Sequence, residues 1–219
     1  MTMVLEFRGV SESTPDEVWQ TERTPGGHYA AAADFALQYL DGPGRCLVVA
    51  SPIFEVYELA ERYRVTYLDF RRPPVNGFDY VEGDACALPF EDATFDALSS
   101  TCLLCHLGLG RYGDPQRLGA DQIALREFHR VLRPGGSAAI MLGPVAEIAE
   151  SQALGTAHRV YTMRHAAAIL EQAGFSTRYA AVWDTRGERW RRPGEAINVD
   201  PALFPDYLSV YVEKPTCNT

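Results

Sequence analysis

The segment Val81–Leu98, VEGDACALPFEDATFDAL, joins the end of one predicted strand to the start of another. The strand around FDYVEGD ends at Asp84, and the next strand along the chain covers Thr94–Ser100. The intervening ACALPFEDA has the polar and proline content of a loop. Asp84 is therefore predicted at the end of a strand. The fold formed by the elements on either side decides whether that strand end belongs to a ligand-binding edge.

Strands and helices alternate on both sides of this segment. Upstream, the sequence predicts a helix over His28–Leu40, a strand over Arg45–Ala50, a helix in IFEVYELAERY and a strand over Arg64–Phe70. Downstream, it predicts a helix in ADQIALREFHRVLRPGG ended by Pro134, Gly135 and Gly136, a strand in SAAIMLGPV, a helix in TMRHAAAILEQAGF, and strands in STRYAAVWD and YLSVYVE. Alternation of this kind is typical of an α/β fold with helices on both faces of a parallel sheet.

The last two strands follow each other without a helix, which favours one antiparallel strand near the edge of a mostly parallel, seven-stranded sheet. Residues 1–27 are predicted as an N-terminal extension and residues 28–219 as one domain. Residues 185–206 are predicted as a loop inserted between the last two strands.

Composition narrows the class of protein. With 20 basic and 29 acidic residues in 219, the net charge of −9 disfavours a nucleic-acid partner. The N-terminus lacks the pattern of a signal peptide or membrane anchor, so the predicted location is the cytoplasm. The five cysteines are an odd number and are predicted to be reduced and mostly buried. No metal site is predicted, and the sequence assigns no oligomeric state.

Two short motifs overlap in CLLCHLGLGRYGDP. Cys102, Cys105 and His106 match the haem-attachment pattern C-x-x-C-H, which requires an oxidising compartment. The glycines at 108, 110 and 113 match G-x-G-x-x-G, but they follow the fourth strand, whereas a dinucleotide fingerprint follows the first strand and opens a helix. Neither motif is therefore interpreted as a cofactor site, and a nicotinamide oxidoreductase is disfavoured.

The order of motifs resembles that of class I S-adenosylmethionine-dependent methyltransferases. The resemblance rests on CLVVAS at the first strand and turn, VTYLDF, VEGDACALPFEDATFDAL, and EFHRVLRPGG before a strand, and it covers about residues 28–213. HLGLGRYGDP, LREFHRVLRPGG and AHRVY are more narrowly similar to a methyltransferase-like family known mainly as a domain of unknown function. The resemblance implies a Rossmann-like class I methyltransferase fold, S-adenosylmethionine as cofactor and a small-molecule substrate.

The cofactor residues follow from this resemblance and from sheet geometry. Asp69 ends the second strand about 20 residues after the first turn, the spacing at which an acidic residue binds ribose hydroxyls in nucleotide-binding βαβ units. In the family, the acidic residue at the position of Asp84 and the amide of the next residue, here Ala85, read the adenine edge. The predicted cofactor-binding residues are Ala50, Ser51, Asp69, Phe70, Asp84 and Ala85.

The first turn departs from the family pattern of an acidic residue followed by a glycine-rich loop. The chain has Val49, Ala50, Ser51 and Pro52 there. Glu55 is a candidate substitute for the missing acid, although the sequence favours a solvated helix residue at that position. This departure motivates an alternative function. In that alternative, the fold is kept by a binding or scaffolding subunit, or by an enzyme with chemistry other than methyl transfer.

The catalytic and substrate residues are predicted from the loops after the fourth and fifth strands. His106 is the candidate general base and Asp114 a second base or orienting partner; alternatively, His106 only anchors the loop and Asp114 only starts a turn. The candidate substrate residues, for a hydroxylated or anionic metabolite, are Arg111, Tyr112, His158, Arg159 and Tyr161.

Overall fold

The fold is seen in a computed structural model that describes residues 22–73, 75–146, 150–155, 157–193, 195 and 206–216. The described helices are α1 (His28–Tyr39), α2 (Ile53–Ala60), α3 (Ala120–Val131) and α4 (Met163–Gln172). The first strands are β1 (Arg45–Val49), β2 (Arg64–Asp69), β3 (Asp79–Glu82), β4 (Phe95–Thr101) and β5 (Leu132–Val145). They are followed by β6 (Gln152–Leu154), β7 (His158–Val160), β8 (Ser176–Asp184), β9 (Arg189–Arg191) and β10 (Asp206–Glu213).

Eight of the described strands form one sheet in the order β3-β2-β1-β4-β5-β10-β8-β9. Strands β1 to β5 are parallel to one another, and β10 runs antiparallel to both of its neighbours, β5 and β8. The predicted α/β class, the mostly parallel sheet and the antiparallel strand near its edge are confirmed. Strands β6 and β7 form a separate hairpin.

The predicted strand count of seven is wrong by one. Strand β9 lies in the segment predicted as an inserted loop and pairs antiparallel with β8, with Trp190 opposite Trp183. The two indole rings also pack edge to face, 5.2 Å apart. The polar, arginine-rich sequence of this segment does not have a strand pattern, because the strand is stabilised by the tertiary packing of one tryptophan. Residues 1–21, most of the predicted N-terminal extension, lie outside the described residues, as does Cys217.

Both faces of the sheet are buried, as a parallel sheet with helical crossovers requires. Residues of α1 and α2 pack against one face, which includes Cys46 and Val48 of β1. Residues of α3 and α4 pack against the other face, which includes Leu47 and Val49. The end of α3 differs from prediction: the helix stops at Val131, and β5 already begins at Leu132 and runs through Pro134 and both glycines.

In the described part of the chain, no helix has the length and apolar character needed to cross a bilayer. The parallel strands all end at the same edge of the sheet, where the first turn, Asp69, Asp84 and the loop after β4 meet. This edge is the place at which open α/β sheets bind ligands.

Candidate functional site

A cavity of about 310 Å³ opens at the carboxyl edge of β1 to β4. Its volume is at the lower end of the range of about 300–1,000 Å³ that is usual for small-molecule sites. The cavity is lined by Val49, Ala50, Leu68, Asp69, Phe70, Gly83, Asp84, Ala85, Leu103, His106, Leu107, Tyr112, Gly113, Asp114 and Pro115. Five of the six predicted cofactor residues and three predicted catalytic or substrate residues are thus brought together.

Asp69 provides a buried carboxylate at the end of β2. Its Oδ2 accepts a hydrogen bond of 3.0 Å from the Tyr67 hydroxyl, and its Oδ1 accepts one of 3.2 Å from the Arg71 amide. Burial raises the pKa of Asp69, although these donors and the Arg71 charge oppose the shift. Each oxygen keeps a lone pair, because a carboxylate has about four acceptor positions. Asp69 is therefore suited to accepting hydrogen bonds from two vicinal hydroxyls.

Asp84 lies two residues after β3 and is more open, with half of its side chain exposed. Its Oδ1 accepts a 2.8 Å hydrogen bond from the Cys86 amide, and its Oδ2 lies 3.6 Å from Arg117 Nη1. The turn places the neighbouring Ala85, which is buried, against the cavity. Asp84 and Ala85 thus give this side of the cavity one carboxylate and one small apolar side chain.

The ring of Phe70 is 39% exposed at the mouth of the cavity, with the Arg71 guanidinium 4.7 Å from its centroid. Arg71 also lies 5.8 Å from the centroid of Tyr112, which lines the same cavity. An exposed aromatic face beside a ligand cavity is available for stacking on a flat ring.

The first turn has an unusual backbone for its sequence. Ala50 has φ +48°, in the left-handed region that favours glycine, and its amide donates to the Leu68 carbonyl at 2.9 Å. Ser51 is buried, and its Oγ accepts a 3.0 Å hydrogen bond from the Thr101 amide. The Ala-Ser-Pro turn thus adopts a glycine-type conformation without a glycine, because neighbouring strands hold it.

Glu55 is wholly buried, so the prediction that it is a solvated helix residue is wrong. Its carboxylate accepts hydrogen bonds from Ser99 Oγ at 2.5 Å and Thr101 Oγ1 at 2.8 Å. Burial raises its pKa to about 7, against the opposing effect of these hydroxyl donors. Helical periodicity alone did not reveal this, because its buried partners come from β4.

Asp114 organises the loop after β4. Its Oδ2 accepts hydrogen bonds from the Gly108 amide at 2.8 Å and the Gly110 amide at 3.4 Å, and its Oδ1 accepts one from the Tyr112 amide at 3.3 Å. A carboxylate that accepts three backbone hydrogen bonds within its own loop fixes the shape of that loop. Of the two sequence interpretations of Asp114, this geometry favours the turn-forming one.

His106 lies on the cavity wall with its Nδ1 2.7 Å from the Ala157 carbonyl oxygen. That carbonyl fixes the neutral tautomer: Nδ1 carries the proton, and Nε2 keeps the lone pair that can accept one. Burial by itself lowers the pKa of His106, but its contacts with Cys105 and the Ala157 carbonyl outweigh burial and raise the pKa. The geometry therefore combines the anchoring and the base interpretations of this residue.

The other predicted substrate residues divide into two groups. Tyr112 lines the cavity, and Arg111 donates to the Ala157 carbonyl at 2.8 Å with its guanidinium 5.5 Å from the Tyr112 centroid. His158 lies behind His106, with ring centroids 6.3 Å apart. These three residues surround His106.

Arg159 and Tyr161 instead contact the backbone of the loop that follows β4. Arg159 donates to the carbonyls of Leu104 at 2.7 Å and Leu107 at 3.4 Å. Tyr161 is wholly buried, and its hydroxyl lies 3.2 Å from the Leu104 carbonyl oxygen and 3.1 Å from Asp121 Oδ2. A side chain with no exposed surface holds the loop in place rather than lining the cavity.

Sequence reasoning missed the contribution of α1 to this site. Tyr29 lines a smaller cavity of about 70 Å³ that shares part of its wall with the larger one. The shared residues are Ala50, Asp69, Phe70, Leu103, His106 and Tyr112. His28 stacks on Tyr207 of β10 at 4.1 Å, and burial, together with His106, lowers its pKa to about 4. His28 and Tyr29 are the first two residues of an alanine-rich helix, and no sequence motif indicates a role for them.

Comparison with known proteins agrees with this architecture. Residues 54–140 match the model of a methyltransferase-domain family. A ubiquinone/menaquinone biosynthesis C-methyltransferase, UbiE, of Xanthomonas axonopodis pv. citri (strain 306) is 42% identical over 67 residues, 31% of this chain and 22% of the relative. UbiE of Enterobacter sp. (strain 638) is 40% identical over 62 residues, 28% of this chain and 20% of the relative. The matched segment thus spans about a fifth of these relatives.

Solved structures share the fold over most of the chain. The 1,6-didemethyltoxoflavin-N1-methyltransferase of Burkholderia thailandensis, solved with its substrate and S-adenosylhomocysteine, is 17% identical with a TM-score of 0.64. The alignment covers 87% of this chain and 80% of that structure. The [4+2]-cyclase SpnF is 19% identical with a TM-score of 0.65, over 91% of this chain and 86% of that structure. The fold therefore occurs both in a methyltransferase and in an enzyme named for different chemistry.

Proposed function

We propose that the chain is a class I S-adenosylmethionine-dependent methyltransferase that transfers a methyl group from S-adenosylmethionine to a small hydroxylated or anionic metabolite, which the methyltransferase-domain match and the shared fold support. The observation that carries the proposal is the convergence of Asp69, Asp84 and Ala85 on one cavity at the carboxyl edge of the sheet. The net charge of −9 also favours a small acceptor over nucleic acid, and we retain the cytoplasm as the proposed location.

The donor set of the cavity fits this cofactor. Asp69 would accept hydrogen bonds from the ribose hydroxyls, Asp84 and Ala85 would face the adenine, and Phe70 would stack on it. Ala50 would face the remaining, amino-acid end at the first turn, and Ser51, which is buried and does not line the cavity, would support that turn. When bound, S-adenosylmethionine supplies an electrophilic methyl group, so the protein mainly has to align the acceptor.

His106 is the residue that would handle the acceptor proton. Its Nδ1–H donates to the Ala157 carbonyl, which leaves Nε2 as the proton acceptor in the neutral ring. Tyr29 and Tyr112, which line the smaller cavity with His106, would close the acceptor side against water. Arg111 lies next to Tyr112, where its charge would favour an acidic or hydroxylated acceptor.

The first experiment is calorimetric titration of the purified protein with S-adenosylmethionine and S-adenosylhomocysteine. We expect binding in the micromolar range, about −8 kcal/mol. Acceptors would then be screened by S-adenosylhomocysteine release. No detectable binding of either compound would overturn the proposal and favour the alternative of a binding subunit or of different chemistry.

Substitution of the two carboxylates tests where the cofactor binds. We expect Asp69→Ala to weaken S-adenosylhomocysteine binding by about tenfold or more, since hydrogen bonds to a charged group contribute about 1.5–3 kcal/mol. Asp84→Ala should weaken it less, because half of the Asp84 side chain is exposed. Asp69→Ala should fold, because the buried Tyr67 hydroxyl keeps a second partner, the Ser51 carbonyl oxygen at 3.3 Å. Asp84→Ala should fold because half of that side chain is already exposed.

Asp79→Ala provides the matched control, because Asp79 begins β3 at the opposite edge of the sheet. Its affinity should equal that of the unmodified protein. Undiminished affinity in both Asp69→Ala and Asp84→Ala would show that the cofactor does not bind in this cavity.

A further inference from the structure

The carboxylate of Glu55 lies beneath the cofactor cavity and takes part in no ion pair with any described residue. It comes from the first turn of α2 and is held by hydroxyl groups of β4, the strand that pairs with β1. Ser99 Oγ and Thr101 Oγ1 donate to its two oxygens, at 2.5 and 2.8 Å. The Ser51 hydroxyl also stabilises the ionised form. A carboxylate without a cation is costly to bury unless such donors surround it.

The same hydroxyl groups connect Glu55 to the cavity wall. Ser51 Oγ accepts the Thr101 amide proton, so Glu55, Ser51 and Thr101 form one network that joins the first turn to the end of β4. Thr101, in this network, and Ala50, which precedes Ser51 in the chain, both line the smaller cavity, and Ala50 also lines the larger one.

The first turn needs such support because its backbone is strained. A non-glycine residue in the left-handed region costs about 1–3 kcal/mol and persists only where the surrounding structure fixes it. Ala50 has φ +48° in a position where glycine-rich loops normally approach the ligand. The conformation is fixed from one side by the Leu68 carbonyl and from the other by the Ser51–Thr101 hydrogen bond.

We propose that Glu55 is a positioning residue which supplies, from α2, the carboxylate that the first turn lacks, and so holds residues 50–52 and the end of β4 in the geometry that binds the S-adenosyl group. The proposal rests on the proposed function. It differs from the favoured sequence interpretation, in which Glu55 is a solvated helix residue and the altered first turn motivates an alternative function. Here the turn keeps its shape through the buried carboxylate of Glu55, which lies outside the usual motif position in sequence but next to the turn in space.

Near neutral pH, Glu55 is the group whose charge changes, while the titratable groups around it keep theirs. They are Cys46 of β1, Tyr67 of β2, Cys102 after β4 and Glu58 of the same helix. The pKa values of Cys46, Tyr67 and Cys102 are all raised by burial, so these groups stay neutral near neutral pH. Glu58 is paired with Arg23 at 2.7 Å.

The test is Glu55→Gln, which keeps the side-chain size but replaces one acceptor oxygen with an NH₂ group. We expect S-adenosylhomocysteine affinity to fall by about tenfold, the equivalent of one hydrogen bond to a charged group. In the ligand-free protein, amide hydrogen exchange should accelerate in peptides that contain Ser51 and Thr101 and stay unchanged elsewhere. Glu61→Gln, on the exposed C-terminal end of the same helix, should match the unmodified protein in both measurements.

The exchange measurement needs no ligand, so it separates this inference from the proposed function. If the unmodified protein fails to bind S-adenosylhomocysteine, the proposed function fails, while exchange still reports whether Glu55 holds the turn. Unchanged exchange together with unchanged affinity in Glu55→Gln overturns the inference. Should Glu55→Gln not fold, Ser99→Ala removes one donor to the carboxylate, and we expect the same changes at smaller size; no change at all would again overturn it.

Discussion

Replacing His106 with alanine is expected to lower turnover by about 10²–10⁴-fold, the usual contribution of a general acid or base, while S-adenosylhomocysteine affinity changes little. The reason is the placement of the ring on the cavity wall, with Nδ1–H donated to Ala157 and Nε2 left to accept a proton. Measurement requires an acceptor found by the screen, with turnover followed as S-adenosylhomocysteine release.

The pH profile provides a second readout for His106. A base acts in its deprotonated form, and contacts with Cys105 and Ala157 raise the pKa of His106 above the ordinary value of 6.5, against the effect of burial. Turnover should therefore rise with pH through a midpoint above 6.5 and lose this limb in the variant. His165→Ala, in the first turn of α4 and outside this cavity, should keep both rate and profile.

His106→Asn distinguishes catalysis from anchoring. Asparagine keeps an N–H donor for the Ala157 carbonyl but does not titrate in this range. If His106 only anchors the loop, His106→Asn should retain most of the turnover. Full turnover in both variants would remove His106 as the base and leave the acceptor proton to another group.

The second large effect concerns the stability of the folded protein as a function of pH. Glu55 has a folded-state pKa of about 7, raised above the ordinary value of 4.5 mainly by burial. A raised pKa means that the folded state binds a proton more tightly than the unfolded state. The stabilisation is therefore fully present below about pH 4.5 and is lost as pH rises towards 7.

The change amounts to roughly 3 kcal/mol at about 1.4 kcal/mol per pKa unit. We expect the free energy of unfolding of the unmodified protein to fall, relative to Glu55→Gln, by this amount between pH 4.5 and 7 and to stay level above that range. Denaturant unfolding across this range measures it, and Glu61→Gln is the control. A difference between the two proteins that does not vary with pH would show that Glu55 does not titrate in this window.

The fold was largely predictable from local patterns. Apolar strand cores such as Cys46–Val49, helical spacing and the Asp84 segment specify βα units, and short crossovers leave few ways to assemble them. Strand β9 escaped prediction because Trp190 derives its stability from Trp183 and Phe35, which are remote in sequence. Local propensity does not register contacts of that kind.

The site divides in the same way. The sequence by itself determined that Asp69, Asp84 and Ala85 follow strand ends, and the parallel arrangement of those strands brings them to one edge of the sheet. Only the tertiary structure decided that Glu55 is buried, that the Asp114 carboxylate accepts hydrogen bonds from loop amides, and that Tyr161 lies in the core. The physical reason is that burial and hydrogen-bond partners depend on which elements pack together, whereas strand and helix patterns depend on near neighbours in the chain.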